Sequence, residues 1–226
     1  MISIENLSKS YGSKIVLENI NLNFLKGKVY GIVGENGAGK TTLFNCIAGL
    51  EKHEGIVKYE FGLLKNYLGY LQTEPFFFPK ITGNEYIKLL CNARNISITD
   101  LGERNIFDLP LHEYAVKYST GMKKKLALTA LLLQENKVII LDEPFNGVDI
   151  QSNIIIIEII QKLKEMGKSI IISSHIFSTL SDTCDEIMLL KSGKIIQSVL
   201  KDEFSILENE MKLFTIGNKI ERLNLK

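Results

Sequence analysis

The chain has 226 residues, of which 45% are hydrophobic and 23% are charged. These values are typical of a globular protein and exclude a disordered or collagen-like chain. Its 27 basic and 26 acidic residues leave a net charge of +1, which argues against a protein that coats nucleic acid through charge alone. Three widely separated cysteines, without a CxxC pair, favour a reducing compartment and give no support for a disulfide framework or a zinc site.

Two further classes are not expected. The longest largely apolar run, residues 126–133, is far shorter than the roughly 18 residues of a membrane-spanning helix. The N-terminal segment has no charged region followed by an apolar stretch, so no signal peptide is predicted. We therefore expect a cytoplasmic chain.

The first elements are strands followed by a helix. Residues 1–24 alternate apolar and polar side chains, which predicts two strands separated by a turn at Tyr11, Gly12 and Ser13. Residues 28–33 form a short apolar run that predicts a buried strand. Residues 40–50 carry apolar side chains at helical spacing.

The second half repeats this alternation. Apolar runs predict further strands, and amphipathic stretches predict helices at residues 151–166 and 177–184, with a weak helix after Leu200. Residues 75–134 contain no convincing buried strand and are predicted to be helical. The sequence thus predicts a single α/β domain, 1–226, with a mainly parallel sheet flanked by helices and preceded by antiparallel strands. Its core covers 1–74 and 137–226, and a helical subdomain is inserted at about 75–136.

A glycine-rich segment between the predicted strand and helix carries the strongest chemical signal. It matches the pattern G-x-x-x-x-G-K-[ST] and consists of Gly34, Glu35, Asn36, Gly37, Ala38, Gly39, Lys40 and Thr41. Glycines let backbone N–H groups surround an anion, and the N-terminus of the following helix faces the same phosphates. Lys40 is expected to reach the β- and γ-phosphates, and the Thr41 hydroxyl is expected to bind Mg²⁺. The sequence predicts the nucleotide-binding loop of a P-loop NTPase.

Two carboxylates follow the predicted strand at residues 137–141. Asp142 and Glu143 would lie at the carboxyl edge of the sheet, where folds of this kind bind ligands. Asp142 suits the shell of Mg²⁺, and Glu143 suits a base that orients and deprotonates the attacking water.

Together with Ser119, Gly121, Asp149 and His175, these motifs resemble those of the ATP-binding cassette (ABC) ATPases over nearly the whole chain. The resemblance implies that Tyr11 stacks on adenine and that His175 contacts the γ-phosphate. It implies that Ser119 and Gly121 contact nucleotide on the opposite subunit, and that Asp149 lies at the dimer interface. The nucleotide-binding set also includes Thr42.

The segment around Ser119 departs from the family signature LSGGQ, because Thr120 replaces a glycine and Met122 replaces the glutamine. These changes resemble exporter-type cassettes with a separate membrane subunit. The three lysines that follow are interpreted as a solvated helix face.

One family motif is out of register. The resemblance implies a glutamine that contacts Mg²⁺ and the attacking water, but the sequence has Gln72 one position early and Thr73 at the expected site. We assign Gln72 to the nucleotide and metal contacts; the alternatives are that Thr73 replaces it or that the contact is weakened.

The next segment contains Phe76, Phe77 and Phe78 between two prolines, which disfavour a helix. These rings are either buried or dock a membrane subunit.

The resemblance implies an ATP-hydrolysing subunit of an ABC transporter, with ATP and Mg²⁺ as ligands. A second copy and a polytopic permease would be its partners, at the inner face of the cell membrane; no nucleic acid is expected. The alternative is a single-cassette ATPase that serves assembly or repair. A P-loop kinase or GTPase leaves Ser119, Asp149 and His175 without a common explanation.

Overall fold

The computed structural model of the protein describes residues 1–216. In this part of the chain, the strands are β1 (Ile2–Tyr11), β2 (Lys14–Phe24), β3 (Val29–Val33), β4 (Glu54–Tyr59), β5 (Leu68–Leu71), β6 (Val138–Asp142), β7 (Ser169–Ser174), β8 (Glu186–Lys191) and β9 (Lys194–Leu200). The helices are α1 (Lys40–Ile47), α2 (Gly83–Asn92), α3 (Thr120–Leu132), α4 (Ile150–Glu165), α5 (Phe177–Ser181) and α6 (Phe204–Ile216).

The central sheet has six strands in the order β5-β6-β7-β3-β8-β9. All neighbouring pairs are parallel except β8 and β9, which form an antiparallel hairpin. The predicted α/β fold with a mainly parallel sheet is therefore confirmed. Because β3, β6 and β7 are adjacent and parallel, the segments that follow them meet at one edge of the sheet.

Both faces of this sheet are buried, which explains its nearly continuous apolar strands. Along β6, Ile139 and Leu141 face a core shared with α2–α6, whereas Ile140 faces a second core shared with α1 and the N-terminal strands. Ile140 is fully buried, and burying a side chain of this size contributes about 1.5–3 kcal/mol.

A smaller antiparallel sheet, in the order β2-β1-β4, covers one of these cores. Its first hairpin turns at Gly12, which has a positive φ of 60° that glycine adopts without a steric penalty. The turn predicted at Tyr11–Ser13 is thus confirmed, and it leads into β2, which carries Val16.

The inserted segment is less helical than predicted. Of residues 75–134, only α2 and α3 are α-helices, and residues 93–119 contain one 3₁₀ turn, Ala115–Lys117. One cause is that Asn105 satisfies the backbone locally: its side chain accepts the Leu109 N–H (3.0 Å) and donates to the Leu109 carbonyl (2.9 Å). Asparagine side chains compete with helical hydrogen bonds in this way.

Two other helices depart from their predicted lengths. Helix α5 ends at Ser181, three residues earlier than expected. The helix predicted after Leu200 is present as α6, and the remainder of that prediction, residues 217–226, lies outside the described residues. Within residues 1–216, no helix has both the length and the apolar character that crossing a membrane requires.

The turn between β8 and β9 connects the two sheets to the glycine-rich loop. The Gly193 carbonyl accepts the Glu18 N–H (2.9 Å), and the Gly193 N–H donates to the Ala38 carbonyl (3.2 Å). Gly193 has a φ of +79°, and a Cβ atom there would lie 2.4 Å from the Val16 carbonyl oxygen. No other residue type fits this position without displacing β2 or the loop.

Gly193→Ala is therefore expected to lower the free energy of unfolding by about 1–3 kcal/mol more than a matched glycine substitution, as overpacking commonly does. Gly62→Ala is the matched control, because Gly62 also has a positive φ (+106°) but has no atom within 4 Å of the Cβ position. Urea denaturation measures both variants. Equal losses of stability would contradict a close approach at Gly193.

Candidate nucleotide site

A cleft of about 340 Å³ lies at the carboxyl edge of the central sheet. The sequence-predicted residues that line it are Asn36, Gly37, Gly39, Lys40, Thr41, Thr42, Glu143 and His175. They come from the segments that follow β3, β6 and β7, so the parallel sheet itself brings them together. The size of the cleft is within the range of small-molecule sites.

The glycine-rich loop presents backbone N–H groups rather than side chains. Gly37 and Gly39 have φ values of 83° and 111°, and Gly39 is the N-cap of α1. No side chain caps α1, and no acidic residue lies in its first turn. The first N–H groups of a helix have no intrahelical partner, and they carry the positive end of the helix dipole. This helix start is therefore an anion-binding site.

Lys40 adds a full positive charge inside the loop. Its Nζ donates to the Gly34 carbonyl (2.7 Å) and the Glu35 carbonyl (3.3 Å), and it lies 3.4 Å from Oε1 of Glu143. The side chain is 7% exposed. The ammonium is thus held by the loop and faces the cleft, where it can bind a phosphate oxygen.

Asp142 is fully buried and connects three elements through hydroxyl groups. The Thr41 and Thr73 hydroxyls both donate to its Oδ2 (2.7 Å each), and the Ser173 hydroxyl donates to Oδ1. A buried carboxylate requires such partners because its desolvation is costly. The polar side-chain atoms gathered here are all oxygens, which are the ligands that a hard cation such as Mg²⁺ prefers.

Within residues 1–216, no cluster of three or more His, Cys, Asp or Glu residues has the arrangement of a metal cage. A Mg²⁺ ion in a nucleotide site is usually held by one or two protein groups together with nucleotide phosphates. Thr41 and Asp142 fit this requirement.

Glu143 and His175 form a pair beside Lys40. The Nδ1 atom of His175 lies 2.8 Å from Oε2 of Glu143, whose side chain is 10% exposed. Glu143 has a φ of 51°, in the left-handed region, and its N–H donates to the Ser173 hydroxyl (3.0 Å). The carboxylate is therefore fixed between two groups that can carry positive charge, at the opening of the cleft.

The side chains of Gln72 and Thr73, the two candidates for the out-of-register motif, line different clefts. Thr73 lines the nucleotide cleft and bonds to Asp142, whereas Gln72 lines a separate cleft with Phe76 and Phe78. Side chains that follow one another at the end of a strand point to opposite faces, so only one of the two can face the site. The structure brings Thr73, not Gln72, to Asp142.

Several predicted residues lie outside the cleft. Gly34, Glu35 and Ala38 line a neighbouring cavity of about 230 Å³ on the other side of the loop. Tyr11 is 46% exposed, and Lys9 Nζ lies 4.4 Å from the centre of its ring. The adenine contact predicted for Tyr11 stays a prediction.

Ser119, Gly121 and Asp149 also lie away from this cleft, at the starts of two helices. Ser119 caps α3 by accepting the Met122 N–H (3.2 Å), and Asp149 caps α4 by accepting the Ser152 N–H (2.9 Å). The hydrogen bonds from Ser152 and Lys125 hold the pKa of the Asp149 carboxyl well below its usual range. These residues do not contribute to the nucleotide cleft of their own chain.

The interpretation of the three lysines as a solvated face is wrong for Lys124 and Lys125. Lys124 is 2% exposed and donates to the carbonyls of Glu143 (2.7 Å) and Asn146 (3.1 Å). Burial lowers the pKa of its ammonium, while Glu143 and Asp142 oppose that shift. Lys125 pairs with Asp149 at 3.0 Å. A run of charged residues in the sequence does not reveal these contacts, because they form only when α3 packs against the loop after β6.

The sequence analysis also missed three residues of the site: Val16 and Asn146, which line the cleft, and Ser173, which bonds to Asp142. A strand-end serine next to the predicted strand-end carboxylates was a usable signal for Ser173. Val16 and Asn146 carry no chemical signature of their own.

Fold and cleft together define a P-loop nucleoside triphosphatase. Residues 17–146 match the family model described as ABC transporter. A lantibiotic transport ATP-binding protein of Streptococcus pyogenes is 35% identical over 95% of this chain and 96% of its own length. A bacitracin transport ATP-binding protein of Enterococcus faecalis is 34% identical over 88% of this chain and 69% of its own length.

Solved structures agree with this assignment. The ATP-binding subunit of an ABC transporter has a TM-score of 0.78 at 25% identity and covers 90% of this chain and 91% of that one. A dimeric post-hydrolysis cassette bound to ADP and Pi has a TM-score of 0.80 at 23% identity, over 89% of this chain and 99% of that one, and supports the fold. This chain belongs to the ABC transporter family and is an ATP-hydrolysing subunit of such a transporter.

Thr73→Val removes one hydroxyl from Asp142 and keeps the size of the side chain. We expect it to raise the Mg²⁺ concentration for half-maximal ATP hydrolysis by about 10–100-fold, the usual effect of losing a partner of a metal ligand. Gln72→Ala is the control and should leave this value near that of the parent. Titration of hydrolysis with Mg²⁺ at saturating ATP measures both. The opposite pattern would return the role to Gln72.

Proposed function

We propose that this chain powers the export of a peptide antibiotic through a separate polytopic membrane subunit. The support comes from the relatives, two of which are named for lantibiotic and bacitracin transport. A third, from Bacillus subtilis, is named for linearmycin resistance and is 29% identical over 87% of this chain. The lantibiotic relative matches over 96% of its own length, so the comparison covers almost all of that relative.

The single observation that carries the mechanism is the cluster formed by Lys40, Glu143 and His175 at the opening of the cleft. The first N–H groups of α1 and the Lys40 ammonium bind the phosphates of ATP. Glu143 then accepts a proton from the attacking water, and His175 contacts the γ-phosphate that this water attacks. The energetic contribution comes from positioning and charge, as is general for phosphoryl transfer.

Mg²⁺ would be held by Thr41 and Asp142, with Thr73 orienting the Asp142 carboxylate. When bound, this ion neutralises charge on the phosphates. Asp142 is prepared for this because its two oxygens already have fixed positions. The assignment of Thr73 in place of Gln72 rests on its hydrogen bond to Asp142.

Two copies of the chain would share their nucleotides. Ser119, Gly121 and Asp149 lie outside the cleft of their own chain, and the Ser119 hydroxyl, which accepts one N–H, still has a proton to donate. The start of α3 has no acidic residue in its first turn, so its dipole favours a phosphate. We therefore assign Ser119 and Gly121 to the nucleotide of a second copy, and Asp149 to the interface between the two copies.

The membrane subunit would dock on the cleft beside α2. This cleft, of about 260 Å³, is lined by Gln72, Phe76, Phe78, Leu89 and other side chains. Phe76 is 67% exposed and Phe78 is 51% exposed, while Phe77 is buried against Tyr86. Two exposed rings at one apolar cleft mark an interaction site. Docking there would place the chain at the inner face of the membrane.

The alternative, an ATPase that serves assembly or repair, has no support among these relatives. All of them are ATP-binding proteins of transporters or of resistance to an antibiotic.

Glu143→Gln keeps the shape of the side chain and removes its basicity. We expect turnover to fall by roughly 10²–10⁴-fold, whereas ATP binding survives. The variant should then accumulate as an ATP-bound dimer, which size-exclusion chromatography with and without Mg-ATP detects. Inside-out vesicles that contain the chain and its permease should take up a lantibiotic with the parent but not with this variant. Turnover at the parent rate would remove Glu143 from the mechanism, and uptake without ATP would overturn the proposed transport.

Replacing Phe76 and Phe78 by Ser should release the chain from membranes and leave its basal ATP hydrolysis intact, because both rings are exposed. Phe61→Ser is the matched control, since Phe61 is also exposed (55%) but lies outside this cleft. Membrane flotation and an ATPase assay measure the two effects. Retained membrane binding in the double variant, or equal release of the Phe61 variant, would contradict docking at this cleft.

A further inference from the structure

Lys124 occupies an unusual position for a lysine of a helix next to a catalytic loop. It lies in the second turn of α3, is 2% exposed, and directs Nζ at the carbonyl oxygens of Glu143 (2.7 Å) and Asn146 (3.1 Å). Both carbonyls belong to the loop that follows β6. Lysine is almost never fully buried unless it is paired, so this burial requires an explanation.

The backbone that Lys124 holds is strained. Glu143 has a φ of 51°, and a residue with a Cβ atom adopts this left-handed region only at an energetic cost. The surroundings must therefore fix it. The Ser173 hydroxyl accepts the Glu143 N–H (3.0 Å), and the Lys124 ammonium donates to the Glu143 carbonyl. The two peptide groups that flank the Glu143 side chain are thus anchored from opposite sides.

Other contacts join α3 to the same loop. The Gly121 Cα approaches the loop so closely that a Cβ there would lie 2.5 Å from the Gly147 carbonyl oxygen. Lys125 pairs with Asp149 at 3.0 Å and donates to the Ser152 hydroxyl (3.1 Å). The first two turns of α3 and the loop from Glu143 to Asp149 are therefore in contact along their length. Of these contacts, only the one from Lys124 reaches the backbone of Glu143.

We propose that Lys124 is a positioning residue for ATP hydrolysis, which holds the backbone of Glu143 in the left-handed conformation that aims its carboxylate at the cleft. This inference rests on the role of Glu143 as the base in the proposed function. Without Lys124, the Glu143 carbonyl keeps only the longer bond from the Asn146 N–H (3.2 Å). It can then rotate, and the carboxylate moves away from Lys40 and His175. A displacement of about 1 Å at a reacting group can lower a rate about 10²-fold. ATP binding does not depend on this contact, because the phosphates are bound by the start of α1 and by Lys40.

The proposal also explains why the side chain is a lysine. Its ammonium can donate to two carbonyls at once and has no acceptor that would oppose them. An apolar residue of the same length would leave the Asn146 carbonyl without a protein donor and the buried Glu143 carbonyl with only the Asn146 N–H (3.2 Å). Such unsatisfied groups are costly, and the loop relieves the cost by changing conformation.

The test compares Lys124→Met with Lys124→Arg and with Lys123→Met. Lys124→Met keeps the length of the side chain and removes the donors, and it should lower kcat about 10²-fold with an affinity for ATP close to that of the parent. Lys124→Arg keeps the charge and the N–H donors and should recover most of the lost kcat. Lys123→Met is the matched control, because Lys123 neighbours Lys124 but its side chain makes no hydrogen bond or ion pair with residues 1–216; its kcat should stay at the parent value.

A double-mutant cycle separates positioning from a general loss of structure. In the Glu143→Gln background the base is already absent, so adding Lys124→Met should cause little further loss in single-turnover hydrolysis. Multiplicative losses, or a parent kcat for Lys124→Met, would overturn the proposal. Turnover at the parent rate in Glu143→Gln itself would overturn the proposed function and this inference with it. Circular dichroism checks that each variant is folded; if Lys124→Met is unfolded, Lys124→Leu, which also has no donor, takes its place in the same cycle, with the same outcomes.

Discussion

The buried carboxylate of Asp142 is the interaction on which the site depends. It sits at the end of β6 and accepts hydroxyl groups from the start of α1, from the segment after β5, and from β7. A fully buried carboxylate is stable only with several such donors. Each donor in turn fixes its own element relative to β6. The glycine-rich loop, Thr73 and the end of β7 are thereby assembled around one residue.

The parallel sheet makes this arrangement possible. The strands β6, β7 and β3 lie side by side and run in the same direction, so their carboxyl ends deliver Asp142, His175 and the glycine-rich loop to one place. The candidate anion site is made of backbone N–H groups. No capping side chain occupies them and no acidic residue lies in the first turn of α1, so they are available to an anion. In contrast, α2, α3 and α4 begin with the capping side chains of Thr82, Ser119 and Asp149.

Much of this could be predicted from the sequence. The strands of the central sheet are short apolar runs, and the segment 34–41 joins a strand to a helix in a pattern that few proteins contain by chance. These signals are local. The choice between Gln72 and Thr73 was not local, since it depends on which face of the chain turns toward Asp142 after β5 ends.

The errors had the same origin. Lys124 and its neighbours look like a solvated charged face, because charge runs are usually solvated, and only the packing of α3 against the loop after β6 shows that Lys124 is buried. The inserted segment is less helical than expected where Asn105 closes a local turn. Sequence patterns predict elements well, but they carry little information on which polar side chain satisfies which backbone group.

The two helix caps illustrate how one group can serve both the fold and the site. Ser119 accepts the Met122 N–H and so stabilises the start of α3. Its hydroxyl proton remains available to donate to a phosphate of a nucleotide bound by a second copy of the chain. Asp149 has less freedom, because both of its oxygens already accept hydrogen bonds from Ser152, with Lys125 bonded to one of them. Ser119 is therefore suited to contact nucleotide directly. Asp149 is suited to hold the loop after β6 against α3, so that Ser119 and Glu143 keep a fixed position relative to each other.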